Sequence, residues 1–184
     1  MASQGPLSAG TLISNSDQGT IAWVNPGNAA SANDTYATAN GDNSLISEFL
    51  WLTNFGFSVP AGATIDGIVV EVERKSDSAT TIEDVAQLIK AGVLVGNDKG
   101  DDVTALPITE ASKTYGSSSD LWGTTWTATQ VNASNFGVAF SVFFGIGEDT
   151  AYVDHIRITV HYTEGAAGGQ PPRTMQQQRM RRAA

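Results

Sequence analysis

The sequence predicts an all-β protein, an antiparallel, jelly-roll-like β-sandwich of about eight strands. Three observations carry this reading. Apolar and polar residues alternate with period two in three separate segments, as a strand with one dry face requires. Charged residues make up only 16% of the chain, and Thr, Ser, Asn and Gly stand where a helical surface would carry Glu, Lys and Arg. Gly, Asn and Pro clusters interrupt the chain at short intervals, and no strand–helix–strand alternation is present.

Taken in order, residues 1–10 are small and polar and read as a loose N-terminal arm. Residues 11–14 and 20–24 read as short strands around the turn Asn15 to Gly19. Asn25-Pro26-Gly27-Asn28 is a second turn signal. Residues 29–43, rich in Ala, Asn, Asp and Thr, form a long loop with a short strand near Tyr36. Residues 44–57 are apolar almost throughout and fit either a buried helix or a strand buried on both faces.

The clearest strand is residues 64–75, where Ile68, Val70 and Val72 alternate with Val69, Glu71 and Glu73. Residues 82–95 read as one long strand. Residues 97–102 are a turn, and 103–109 an edge or bulged strand because of Pro107. Residues 115–135, holding Trp122 and Trp126, read as an aromatic-anchored loop. Residues 136–144 form a strand with Val138, Phe140 and Val142 inward. Residues 151–163 close the domain, with Ile156, Ile158, Val160 and Tyr162 inward and His155, Arg157, Thr159 and His161 outward. The sandwich domain is therefore expected over residues 11–163. Residues 164–184 follow as a flexible basic tail of Gly, Pro, Gln, Arg and Met.

Charge sorts the same way. Four arginines and one glutamate give residues 164–184 a net of +3, leaving −12 on residues 1–163 of a chain whose total is −9. An acidic body excludes nucleic acid and anionic membrane as expected partners. There is no cysteine, which removes disulfide and thiolate chemistry. No apolar run is long enough for a transmembrane helix. The first 20 residues carry no basic-then-apolar signal pattern, so residence where the chain is made, or release by lysis, is expected.

Catalytic constellations are weak. His155 and His161, the only histidines, lie six residues apart on one strand, about 20 Å at a rise of roughly 3.3 Å per residue. They cannot share a metal, and an exposed strand is a poor place for a catalytic base. Asp98-Lys99-Gly100-Asp101-Asp102 imitates a calcium loop but lacks the alternating carboxylates and the later bidentate Glu, so a hairpin turn is expected. Glu71 and Glu73 share a strand face without the flanking cleft that glycoside hydrolysis needs. Tyr115, Trp122 and Trp126 fit either a carbohydrate-stacking platform or a packing or subunit-interface cluster. No catalytic residue, cofactor or metal ligand is expected.

Residues 59–73 (VPAGATIDGIVVEVE), 115–127 (YGSSSDLWGTTWT), 135–140 (NFGVAF) and 152–160 (YVDHIRITV) together resemble β-sandwich structural proteins of tailed bacteriophages, of the capsid decoration or cement type. The resemblance spans about residues 34–163 and leaves the tail unmatched. It implies a virion location on the capsid surface, the major capsid protein as partner, a homotrimer, and no catalytic residues. Another virion role (tail, fibre or head–tail component) and a carbohydrate-binding β-sandwich module are the alternatives. The tail arginines Arg173, Arg179, Arg181 and Arg182 are then expected to contact an acidic patch on the capsid or on a neighbouring subunit.

Overall fold

The computed structural model describes residues 1–165. Ten strands build two antiparallel five-stranded sheets that face each other across one core. The first sheet orders β1 (Ala2–Ser8), β10 (Asp149–Thr163), β5 (Thr64–Ser76) and β8 (Ala111–Gly116), with β3 (Ala37–Gly41) on the same edge of β10 as β1. The second orders β2 (Thr11–Asn15), β4 (Phe49–Thr53), β9 (Gly137–Phe144), β6 (Thr81–Lys90) and β7 (Val93–Val95). The all-β sandwich is as expected, with ten strands where about eight were read.

The alternation read in the sequence sets the packing. Ile68, Val70 and Val72 of β5, Val138, Phe140 and Val142 of β9, and Ile156, Ile158 and Val160 of β10 are all at most 1% exposed. The facing rows interdigitate as apolar side chains leaving water must. Of residues 44–57, Phe49–Thr53 form β4 and the rest is irregular: Leu50 and Leu52 point inward, and Phe55 and Phe57, beyond the strand, pack in the core with Phe57 against Phe136.

Several expectations are corrected. Residues 1–10 are not a loose arm, because β1 pairs with β10 from Ala2↔Tyr162 to Ser8↔Arg157. Residues 20–24 make only isolated bridges, Ile21 to Ser47 and Val24 to Thr38. Residues 82–95 are a hairpin: Ala91 and Gly92 both take positive φ, 54° and 82°, the left-handed pair that a two-residue turn needs. Residues 103–109 form no strand, although Leu106 is buried and donates its N–H to Thr81 O. The presumed loop 115–135 begins inside β8 and holds a helical turn, α1 (Ala128–Val131), capped by Thr127 and Gln130 reciprocally.

One charged group ties the sheets together. Glu83, on β6 of the second sheet, is 1% exposed. It accepts from Arg74 Nε (3.2 Å) and Nη2 (2.8 Å) on β5 of the first sheet, from Lys113 Nζ (2.9 Å) on β8, and from the Asp101 N–H (2.9 Å). A buried carboxylate of this kind is tolerable only because its hydrogen bonds are made.

Candidate functional site

The two outer faces of the sandwich differ in chemistry, and the strand register dictates how. On the first sheet, β5 and β10 place Glu73 opposite His155 and Glu71 opposite Arg157, with Ser112 of β8 across from Glu73. These five side chains line a shallow hollow. Arg157 is already engaged: its Nε and Nη2 donate to Glu71 at 3.0 and 3.1 Å. His155 Nε2 and Ser8 Oγ share a 2.8 Å hydrogen bond that fastens β1. Burial, then the Arg157 charge, holds the imidazole below its ordinary pKa. Burial, then the Glu110 and Asp154 charges, pushes the Glu73 carboxyl up.

Toward the start of β10 the same face turns aromatic and acidic. The Lys75 ammonium lies 4.3 Å from the Tyr36 ring centre and 5.4 Å from that of Tyr152, and donates to Tyr36 Oη at 3.2 Å. Tyr36 Oη donates to Asp34 at 3.4 Å. The Glu110 carboxylate, then burial, pushes the Tyr36 phenol above its ordinary range. Carboxylate oxygens of Asp34, Glu110 and Asp154 converge within 4.8 Å of one another. Asp154 is 2% exposed and takes the Asn33 N–H, while Glu110 Oε2 is buried without a hydrogen-bond partner. Three hard oxygens at this spacing suit a divalent cation in principle. Here Asp154 already accepts the Asn33 N–H and Asp34 is exposed, which leaves Glu110 as the one member with an unpartnered buried oxygen. The trio is invisible in sequence because its members lie 44 to 120 positions apart.

The second sheet turns the opposite chemistry outward. Along β4, Phe49 and Trp51 alternate with the inward Leu50 and Leu52, so these two members of the apolar run 44–57 lie on the other side of the sheet from the core. Ile13 lies opposite Trp51, Trp51 opposite Ala139, and Ile89 opposite Leu94. Phe49, Val85, Ile89 and Ala139 form a second apolar cluster, over which Trp51 and Leu94 are half-buried and Ile13 is 45% exposed. Thr11, Asn15, Thr53 and Gln87 rim it. The carboxylate at its margin, Asp84, is held by Ser141 (2.8 Å) and by Gln18. The overlong apolar run was the signal in the sequence; which of its side chains face out is fixed only by the sheet register.

The sequence-predicted aromatics are elsewhere. Trp122 is 0%, Tyr115 3% and Trp126 7% exposed. Trp122 Nε1 donates to Ile68 O at 2.9 Å, and Trp126 packs edge-on to Phe136 at 5.3 Å. The Tyr115 hydroxyl is buried without a partner, and burial, then Glu83, pushes its phenol up. The three are core residues, the packing alternative and not a sugar platform: Tyr115 is buried on β8, and segment 117–126 folds both indole rings inward. The 98–102 run is not a hairpin turn either: Asp98 accepts from the Ala86 and Gly100 N–H groups, and Asp101 from Val103, Thr104 and Lys113. His155 and His161 lie on the outer side of β10, as expected. Arg173, Arg179, Arg181 and Arg182 lie outside the described residues.

No protein-family model matches the sequence, and comparison with curated proteins finds no match. Among solved structures, one titled "CBM4 structure and function" aligns with 83% of this chain and 92% of its own at 13% identity and a TM-score of 0.38. The N-terminal cellulose-binding domain of Cellulomonas fimi β-1,4-glucanase C aligns with 80% of this chain and 85% of its own at 11% identity and a TM-score of 0.38. At these scores nothing about ligand or partner passes from those proteins to this one.

Proposed function

We propose that the chain is a non-catalytic structural subunit of a tailed-bacteriophage virion, a capsid decoration protein that binds the major capsid protein and stabilises the head shell. The observation that supports an assembly role is the apolar outer face of the second sheet. A subunit whose outer sheet face carries Ile13 at 45% exposed, with half-buried Trp51 and Leu94 over a buried apolar cluster and an uncharged polar rim, has the makeup of a docking surface. The charged face supports the same reading from the other side. Its Arg157 is paired with Glu71, and its His155 is tied to Ser8 in a bond that fastens β1 to β10, a structural use of both groups. The resemblance of residues 59–73, 115–127 and 152–160 to phage sandwich proteins supplies the choice of assembly.

The test is direct. Capsids lacking their decoration protein, incubated with this chain and imaged by electron microscopy, should gain density at regular lattice positions. Capsids left bare at saturating protein would overturn the capsid assignment.

A further inference from the structure

We infer that the outer face of the second sheet is the contact between two copies of this chain, packed sheet to sheet about a two-fold axis. The inference deepens the assembly reading by naming the occupant of that face, and it is tested separately from capsid binding.

Electrostatics selects the occupant. Residues 1–163 carry −12, and two such bodies repel wherever carboxylates would meet. The first sheet's outer face is such a place, with Glu73, Glu110, Asp34 and Asp154 converging on it. The second sheet is the opposite case. Its outward positions on β2, β4 and β9 carry no ionisable side chain, and Asp84 at its margin is bound by Ser141 and Gln18. Two copies brought together there keep their acidic surfaces on the far sides of the pair. A basic partner would gain nothing from this uncharged face.

Size sets the strength. Five strands about 4.8 Å apart give a face about 20 Å wide, on which Ile13, Trp51 and Leu94 are the apolar side chains left to meet a partner, since Phe49, Val85, Ile89 and Ala139 are already buried. That apolar patch is smaller than the roughly 800 Å² per partner of a standard specific interface, so the pair should form in the micromolar range. Because each copy offers the same patch, the contact is isologous and closes at two. The phage resemblance implies a trimer, so the stoichiometry separates the two ideas.

Sedimentation velocity of the full chain from 1 to 200 µM decides it. The expected result is a concentration-dependent monomer–dimer equilibrium that tightens as NaCl is raised, since salt screens the mutual repulsion of the acidic bodies. Ile13→Glu, at a position 45% exposed, should weaken dimerisation at least tenfold. Thr53→Glu, on the rim of the same face, should do likewise should Ile13→Glu disturb the fold, with circular dichroism as the folding check. A monomer at every concentration, a trimer, or a dimer indifferent to both substitutions would each overturn the inference. Bare capsids beside a dimer sensitive to Ile13→Glu would leave it standing and remove the capsid assignment alone.

Discussion

At the scale of single residues, the strongest dependence falls on Glu83. It takes four hydrogen bonds from three segments, and Arg74 above it is 7% exposed. Glu83→Ala would strand a buried guanidinium and should cost about 3–5 kcal/mol, read as a shift in the urea midpoint. The paired change Arg74→Met with Glu83→Leu should recover a good part of that loss. A single-variant cost below about 1 kcal/mol would mean that water reaches Arg74 in place of the carboxylate. This cluster was not legible in the sequence. Glu83 looks like one more polar position on an alternating strand, and only the bulge between Glu83 and Val85 turns it inward. Trp122 misleads in the same way. Ser, Gly and Thr around it suggest an open loop, yet its φ of 59° and its bond to Ile68 O carry the ring into the core.

At the scale of elements, legibility follows periodicity. β5, β9 and β10 are long enough to repeat their pattern three or four times. The alternation there points to Ile68, Val70, Val72, Val138, Phe140, Val142, Ile156, Ile158 and Val160, all in the core, while Ile65, Phe144, Ala151 and Val153 near the strand ends are core residues it does not mark. β1 was not, because Gly5 and Pro6 interrupt it and only Leu7 is apolar enough to announce a face. The β6–β7 hairpin hid behind Ala91, a residue that seldom takes positive φ, where Asn would have signalled the turn. The role of β1 can be measured. Removing residues 2–8 takes away Leu7, which packs on the core, the Ser8–His155 bond, and the pairing partner of β10. The expected loss is about 1–2 kcal/mol, a few degrees in melting temperature. Amide exchange should rise along residues 157–162, and unchanged protection there would show that β1 is dispensable.

At the scale of the molecule, the acidic body and the basic tail are opposed. Residues 166–184 hold four arginines and no acid, so deleting them takes the net charge from −9 to −13. The folded body should keep its melting temperature, because β10 ends at Thr163. Attachment to capsids should weaken, most clearly at low salt, where the arginines would otherwise be felt across a Debye length. Undiminished low-salt binding by the truncated chain would remove the tail from the attachment mechanism.

The position of β10 also decides how the molecule bears a pull. Its twelve register pairs with β5 lie on one side, and those with β1 and β3 on the other. A load arriving through the C-terminal tail enters the end of this central strand and runs along its axis, so its cross-strand bonds are sheared together. A load applied between the two termini acts differently. Ala2 and Tyr162 are direct neighbours, so the same force opens β1 from β10 like a zip, one pair after another. A chain anchored by its tail on a shell under internal pressure would thus be gripped at its mechanically hard end, with the soft end left unloaded.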